Sequence, residues 1–296
     1  MSSVRKINSN WIAVIPYAFC RPGETNVYYD HQNSNPRWWG EGRTGVEETI
    51  CLAREQGLKV MLKPQIWVSG SWIGNLSYEN PSDWDLWEQS YEAFILPFAR
   101  MCEEKRVELL CIGTELKGSV TTRPAFWNQL IQKIRKEYRG KLTYAANWDE
   151  YPAIRFWPEL DFIGVDAYFP LTDQTHPSVK ELTRAWDPVL DKLERFSGKK
   201  RRPVIFTEFG YLSVDGSGGK TWELEGNLKA LAYNPEAQAS CFNALLESCS
   251  KRDFWHGGFV WKWYPDLDHR KHNMEKDHSP QGKPAEEILR QWYARL

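Results

Sequence analysis

The sequence predicts an α/β protein, a closed (β/α)8 barrel of the TIM type, on three observations. Apolar runs typical of buried parallel strands alternate with helical segments along the chain, about once every 40 residues. The chain has 296 residues, and single barrels of this type commonly have about 250. No linker-like segment divides it, so we expect one domain over residues 1–296. An open doubly wound sheet is the alternative, but no G-x-G-x-x-G or G-x-x-x-x-G-K motif follows the first strand.

Seven short apolar runs, each bounded by polar or turn-forming residues, are predicted to be strands. They cover residues 11–17, 59–67, 107–115, 142–147, 162–168, 203–211 and 257–264. The sixth run is typical of a buried strand, because Pro203 ends a basic segment and mostly apolar, β-favouring residues then lead to Glu208.

Segments with a helical spacing of apolar residues separate the strands. They cover residues 45–56, 83–105, 124–138, 178–196, 235–250 and 285–296. Thr44 is a candidate N-cap for the first of these helices and Gly57 a candidate stop signal. Trp84, Trp87 and Phe94 recur at helical spacing, so we assign them to the core.

One count disagrees with the barrel, which needs eight strands. Residues 4–8 resemble the tail of a helix, and too few residues precede Trp11 for a strand and a helix. We therefore predict that the ancestral chain carried one more strand and most of a helix upstream, so that the first strand is missing here. A full strand within residues 1–10, paired between the first and last strands, would contradict this prediction.

Charge and hydropathy exclude several kinds of partner. The formal net charge is −1, which gives no long-range field for nucleic acid or for an anionic membrane. No apolar stretch approaches the roughly 18 residues of a membrane span, and residues 1–7 lack the apolar region of a signal peptide. As written, the chain is expected to be cytoplasmic. The compartment stays open, because an N-terminal truncation would remove a signal peptide.

The tryptophan content indicates a class of ligand, and the cysteine spacing indicates how the cysteines are used. The chain has 16 Trp, and a surplus of indole rings suits flat amphipathic ligands such as sugars, although core packing also absorbs large rings. The 6 Cys form no C-x-x-C pair, so we expect most of them to be small buried hydrophobes.

Polar and aromatic side chains collect where the predicted strands end, which is where parallel barrels carry their reacting groups. Glu115 ends the third strand and Glu208 lies near the end of the sixth. Glycoside hydrolysis needs one carboxylic acid and one carboxylate, so both are catalytic candidates. We assign substrate binding to Lys63, Gln65, Trp67, Asn147, Asp166, Tyr168, Trp261 and Trp263. We expect no metal and no cofactor.

Five segments together resemble one family of glycoside hydrolases. They are residues 10–17 (NWIAVIPY), 63–67 (KPQIW), 112–115 (IGTE), 207–210 (TEFG) and 279–285 (SPQGKPA). In order and spacing, across nearly the whole chain, they are similar to glycoside hydrolase family 113, the β-mannanase family of the retaining (β/α)8 clan A.

The resemblance implies a role for each matching residue. Glu115 would be the acid/base and Glu208 the nucleophile of an enzyme that cleaves β-1,4-mannosidic linkages in mannan, glucomannan or manno-oligosaccharides. Tyr168 would orient Glu208 through a hydrogen bond, and Trp261 or Trp263 would form the floor beside the scissile bond. The clan usually has Asn before its acid/base, where it holds the sugar 2-hydroxyl. This chain has Thr114 there, so the choice between mannose and glucose stays open.

A retaining mechanism sets expectations for the two carboxyl groups. Glu208 should stay ionised through nearby donors, and Glu115 should keep a raised pKa through burial and neighbouring negative charge. When the glycosyl-enzyme forms, the charge of Glu208 disappears and Glu115 can act as a base. We expect the carboxyl groups to lie about 5–5.5 Å apart, whereas a separation above about 6.5 Å would indicate inversion.

Alternatives remain at the level of function. The chain is either such a hydrolase, a hydrolase of another β-glycan, or a non-hydrolytic carbohydrate-binding barrel. Glu208 and Asp166 have structural alternatives as strand-end acids paired with Lys or Arg. Endo or exo action and the oligomeric state stay open.

For two segments an ordinary structural role is an alternative to ligand binding. The tail 266–278 contains Asp266, Asp268, His269, His272 and His278. Their spacing fits no zinc pattern and interleaved Lys and Arg repel a cation, so a solvated loop is favoured over a metal-dependent hydrolase. In the long loop 21–43, Trp38 and Trp39 are either a sugar platform or loop packing.

Overall fold

A computed structural model describes residues 1–32, 39–265 and 275–296 of the chain. Its helices are α1 (Ser2–Lys6), α2 (Arg43–Glu55), α3 (Pro81–Glu104), α4 (Lys117–Thr122), α5 (Pro124–Glu137), α6 (Val179–Lys200), α7 (Thr221–Glu225), α8 (Pro235–Cys249) and α9 (Pro284–Tyr293). Its strands are β1 (Trp11–Val14), β2 (Tyr17–Cys20), β3 (Lys59–Leu62), β4 (Gln65–Val68), β5 (Leu109–Thr114), β6 (Lys141–Asn147), β7 (Ile163–Asp166), β8 (Val204–Phe209) and β9 (Trp255–Val260).

The main sheet has seven strands in the order β1-β3-β5-β6-β7-β8-β9. Neighbouring strands follow one another along the chain, pair in parallel and are connected through helices. This is the topology of a TIM-type barrel. The predicted fold class is confirmed, and so are the seven predicted strands.

Each of the first two predicted strands is split into two successive strands, β1 and β2 in the first case and β3 and β4 in the second. Val14 ends β1 and Leu62 ends β3, and after Pro16 and Pro64 the chain re-pairs as β2 and β4 in a second, two-stranded parallel sheet. Proline has no N–H to donate, so the ladder is interrupted at both positions. Gln65 restores it by donating its N–H to the Pro16 carbonyl over 3.0 Å.

The chain forms two compact units, which we call the N-terminal unit (residues 10–164) and the C-terminal unit (residues 1–9 and 165–296). The N-terminal unit has an aromatic core in which Trp87 stacks on Tyr91 at 5.0 Å between ring centroids. The predicted core residue Trp84 is also buried there. In the C-terminal unit, Trp186 stacks on Phe206 at 6.1 Å between ring centroids. Each unit therefore has its own apolar core.

Helix boundaries agree only in part with the expected capping chemistry. Gly57 follows α2 in the left-handed conformation, but Thr44 lies inside α2, whose N-cap is Gly42, so the prediction of Thr44 as the N-cap is wrong. Ser178 and Glu181 form a capping box at the start of α6, and Arg201 ends that helix in the left-handed conformation. Residues 1–10 contain helix α1 and no strand. A strand upstream of the sequence stays a prediction.

Two further sequence expectations concern burial. All cysteines are free, and all except Cys51 are buried, as predicted for most of them. Across residues 1–32, 39–265 and 275–296, none of the helices has the length and apolar character needed to cross a membrane.

Candidate active site

Glu115 follows directly on β5, at the end where a parallel barrel carries its reacting groups. Its N–H donates to the Ala145 carbonyl of β6 over 2.8 Å, and its φ is +52°, in the left-handed region. The indole Nε1 of Trp72 donates to Glu115 Oε2 over 2.6 Å. The backbone and the carboxylate of Glu115 are therefore both held in place.

Glu150 is a second acid in the surroundings of Glu115. It is 3% exposed, and within the described residues neither carboxylate oxygen has a hydrogen-bond partner. The ammonium group of Lys117 lies 3.8 Å from Oε1. Burial, followed by the charges of Glu115 and Asp149, raises the pKa of Glu150 to about 8, against the opposing effect of Lys117. Its surroundings therefore favour the protonated, neutral form of Glu150.

Sequence reasoning missed Glu150 and the bond from Trp72. The signal for Glu150 was present, because it follows the strand end that carries Asn147. The turn is closed by the N–H of Glu150, which donates to the Asn147 carbonyl over 2.9 Å. A local pattern of Asp149 and Glu150 after a strand indicates an exposed turn, so the burial of Glu150 was not foreseeable.

Glu208 lies in β8, a strand in which every residue is buried. The phenol of Tyr168 donates to Glu208 Oε2 over 2.8 Å, which is the hydrogen bond that the family resemblance implied. The N–H of Ala167 also donates to the Glu208 carbonyl over 2.7 Å. The carboxylate of Glu208 is thus oriented by an aromatic hydroxyl from the segment that follows β7.

His278 packs beside Tyr168 and is buried, with ring centroids 6.0 Å apart. Burial, and then the charges of Lys262 and Lys283, lowers the pKa of His278 to about 3, so its imidazole is neutral. Its Nδ1 is 3.6 Å from Glu225 Oε1. The prediction that the tail containing His278 is a solvated loop is wrong for this residue. The other four residues of that tail motif, Asp266, Asp268, His269 and His272, lie outside the described residues.

Two predicted substrate-binding residues lie in the core rather than at a surface. Lys63 is fully buried, and its N–H donates to the Val14 carbonyl over 2.9 Å. Asp166 is also fully buried and accepts a hydrogen bond from Thr207 Oγ1 over 2.7 Å. The bond between Asp166 and Thr207 links β7 and β8, so Asp166 has a strand-bridging contact, made with a threonine where the structural alternative named Lys or Arg. Substrate contact by Lys63 and Asp166 stays a prediction.

The remaining predicted ligands are more accessible. Trp67 is exposed on β4, and Gln65 and Asn147 are half-buried. Asn147 uses its own Oδ1 to accept the N–H of Trp148 over 2.9 Å. Trp261 and Trp263 are half-buried after β9, and the Trp263 indole donates to Ser3 Oγ over 3.1 Å.

Two further sequence predictions bear on ligand contact. Trp39 is exposed, whereas Trp38 lies outside the described residues. Among the residues described, no three His, Cys, Asp or Glu side chains converge as a metal site would require.

Comparison with known proteins shows which family of proteins the chain is similar to. The model of Glycoside Hydrolase Family 113 matches residues 1–283. A solved GH113 β-1,4-mannanase has 26% sequence identity over 99% of this chain and 91% of that chain, with a TM-score of 0.82. The GH113 β-mannanase from Alicyclobacillus acidocaldarius, solved in complex with ManMIm, has 24% identity over 99% of this chain and 90% of that chain, with a TM-score of 0.83.

More distant structures share the fold alone. The β-glucuronidase of Ruminococcus gnavus has 15% identity over 99% of this chain and 45% of that chain, with a TM-score of 0.63. No curated protein matches the sequence.

Proposed function

Because this chain belongs to glycoside hydrolase family 113 and is a glycoside hydrolase, we propose that it cleaves β-1,4-mannosidic linkages in mannan, glucomannan or manno-oligosaccharides with retention of configuration. The observation that carries the proposal is the setting of the two glutamates. Each lies at the end of a strand, and each carboxylate accepts a hydrogen bond from an aromatic side chain, Trp72 for Glu115 and Tyr168 for Glu208. Two oriented carboxyl groups are the machinery that glycoside hydrolysis needs.

In the first step, Glu208 is the nucleophile. Its carboxylate oxygen forms a bond to the anomeric carbon, while Glu115 as a carboxylic acid gives its proton to the departing glycosidic oxygen. The leaving sugar departs as an alcohol, and the remaining sugar is held as a glycosyl ester of Glu208. Because the Trp72 indole occupies Oε2 of Glu115 as an acceptor, the proton to be transferred belongs on Oε1.

In the second step, Glu115 is a base. It takes a proton from water, the water oxygen attacks the anomeric carbon from the face that the leaving group vacated, and the bond to Glu208 breaks. Two displacements restore the original configuration. Glu208 attacks the anomeric carbon in the first displacement and leaves it in the second. The hydrogen bond from Tyr168 to Glu208 Oε2 can persist through both steps and keeps the side chain aligned.

The experiment is a product analysis on mannan, glucomannan and cellulose oligomers with the wild type, Glu208→Ala and Glu115→Ala. We expect cleavage of mannosidic linkages by the wild type, with the first-formed reducing end in the β configuration by proton NMR. Glu208→Ala should lose nearly all turnover, and Glu115→Ala should lose about a hundredfold to ten-thousandfold. Glu48→Ala, a change of an exposed glutamate on α2, is the matched control and should keep full activity.

Added azide distinguishes the nucleophile from the acid/base when the two variants act on an aryl β-mannobioside. In Glu208→Ala the anion should replace the missing carboxylate and give an α-mannosyl azide in one displacement. In Glu115→Ala it should intercept the glycosyl-enzyme and give the β-azide. Products of the opposite configuration would reverse the assignment, and full activity of Glu208→Ala would refute it. Cleavage of cellulose oligomers in preference to mannan would show that the substrate is a β-glucan. This outcome is tested because Thr114 stands where the clan usually has the Asn that holds the sugar 2-hydroxyl.

A further inference from the structure

The small sheet of β2 and β4 has an aromatic outer face. Ala18 and Cys20 of β2 point to the buried side, as do Ile66 and Val68 of β4. The alternate positions point outward, and there Phe19 is 41% and Trp67 58% exposed. An outward sheet face in contact with water normally carries polar side chains, so an aromatic face needs another explanation.

A third ring extends this face on the far side of β2. Tyr28 forms an antiparallel bridge with Phe19, in which each N–H donates to the other carbonyl, over 2.9 Å and 2.7 Å. Phe19 is also the direct partner of Trp67 in the parallel register. Directly opposed residues of paired strands place their side chains on one face. Tyr28, Phe19 and Trp67 therefore form a row, which we call the aromatic row, across about 10 Å.

The aromatic row is held in place by polar contacts at its end. Tyr28 is 43% exposed, and its hydroxyl donates to Glu24 Oε2 over 2.8 Å while the Arg21 guanidinium lies 5.5 Å from its ring centroid. Asn26 Nδ2 donates to the same hydroxyl over 3.3 Å. Rings fixed in this way lose little further entropy when a ligand binds, and the surrounding amide and carboxylate groups suit hydroxyl-rich ligands.

The aromatic row and Glu115 both lie in the N-terminal unit. Trp72 follows Trp67 by five positions, so their Cα atoms lie at most about 18 Å apart. Trp72 is itself partly exposed and donates to Glu115 Oε2. A ligand chain that passes the acid/base candidate thus has a further aromatic surface within the reach of a short oligosaccharide.

We propose that the aromatic row Tyr28, Phe19 and Trp67 is a distal carbohydrate-binding platform that holds a β-1,4-linked sugar chain several units away from the bond being cleaved. Pyranose rings present C–H faces that pack flat on aromatic rings, and a periodic row matches a polymer better than a single sugar. The inference rests on the proposed function, and it makes polymers and long oligosaccharides the preferred substrates.

The test compares long and short substrates in Phe19→Ala and Tyr28→Ala. We expect kcat/KM on mannan and mannohexaose to fall roughly fivefold to tenfold, and kcat/KM on mannotriose to fall less than twofold. Tyr233→Ala is the matched control, because Tyr233 is 46% exposed and also forms an isolated antiparallel bridge, with Val214. It should match the wild type on every substrate. Equal losses on long and short substrates, or no loss on either, would overturn the platform.

A binding measurement keeps the proposal testable if the proposed function fails. Wild type and variants are run through native gels that contain mannan, glucomannan or hydroxyethyl cellulose. Retardation of the wild type and Tyr233→Ala, lost in Phe19→Ala, supports the platform even if the wild type cleaves no mannan. Absence of retardation overturns it. A change from dimer to monomer in Phe19→Ala with unchanged retardation would instead assign this face to self-association.

Discussion

Glu115 has a backbone conformation that distinguishes it from the other residues of β-strand ends. Among the described residues, the non-glycine positions with positive φ are Asn8, Arg106, Glu115 and Arg201. Asn8, Arg106 and Arg201 follow helices, where left-handed residues are common. Glu115 follows a strand, and the left-handed conformation costs about 1–2 kcal/mol in an L-residue with a side chain. Such strain persists where the surrounding contacts over-determine it, which supports a functional position.

Tyr168→Phe tests the positioning of Glu208. Removing a hydrogen bond to a charged group costs about 1.5–3 kcal/mol, so kcat/KM should fall about tenfold to a hundredfold through kcat, with a small change in KM. The measurement is the pH profile of kcat and kcat/KM. Tyr138→Phe is the control, because Tyr138 makes a comparable 2.7 Å bond to the Val107 carbonyl away from the candidate site. It should lower the melting temperature and leave kcat intact. Full activity of Tyr168→Phe would show that Tyr168 does not position Glu208.

At the scale of elements, periodicity predicted each strand of the main sheet, because buried parallel strands are continuous apolar runs. The division of the first two runs was also foreseeable, since Pro16 and Pro64 each lie inside a predicted strand. The pairing of β2 with β4 was not foreseeable, because register depends on tertiary contacts rather than on the local pattern. The positions of Glu115 and Glu208 at strand ends could be predicted from the sequence, whereas the burial of Glu150 depends on how its turn packs.

The tail 266–278 was predicted to be solvated, and the structure shows why its last residue, His278, is buried instead. The side chain of Gln238 in α8 donates to the carbonyl of Tyr211 over 2.7 Å and to that of His278 over 3.2 Å. Lys283 Nζ donates to Ser213 Oγ over 2.7 Å. Polar anchors from α8 and from the loop after β8 thus bury a segment whose composition alone indicates solvent.

Gln238→Ala tests this anchoring. Several buried carbonyl groups would lose their donor, and each unsatisfied buried group costs about 1–3 kcal/mol. We expect a lower free energy of unfolding by about that amount, measured by urea denaturation. Gln89→Ala, a change of an exposed glutamine on α3, is the matched control and should be within about 0.5 kcal/mol of the wild type. Equal stability of the two variants would show that α8 does not hold the tail.

At the scale of the whole molecule, the boundary between the two units falls inside β7, between Gly164 and Val165. A cut there would divide a buried strand. The family match also runs without a break from residue 1 to residue 283. We therefore propose that the two units act as a single catalytic domain.

The pH dependence of stability should carry opposite contributions from the two units. His278, which faces Glu225, Lys262 and Lys283, has its pKa lowered from 6.5 to about 3. The unfolded chain therefore takes up this proton first, and stability is lost as pH falls from 6.5 toward 3. Glu150, which faces Glu115, Lys117 and Asp149, has its pKa raised from 4.5 to about 8. Its native state must then hold a proton that the unfolded chain releases, so stability is lost as pH rises from 4.5 toward 8.

Matched variants separate these two contributions. Relative to the wild type, His278→Asn should become progressively more stable below pH 6.5, and Glu150→Gln progressively more stable above pH 4.5. Each difference should change by up to about 1.4 kcal/mol per pH unit, the free energy of one proton per decade. Unfolding free energies measured in urea from pH 4 to pH 8.5 at constant ionic strength give both slopes. Because a packing loss shifts a curve without tilting it, curves parallel to the wild type would contradict both assignments, whatever their offset.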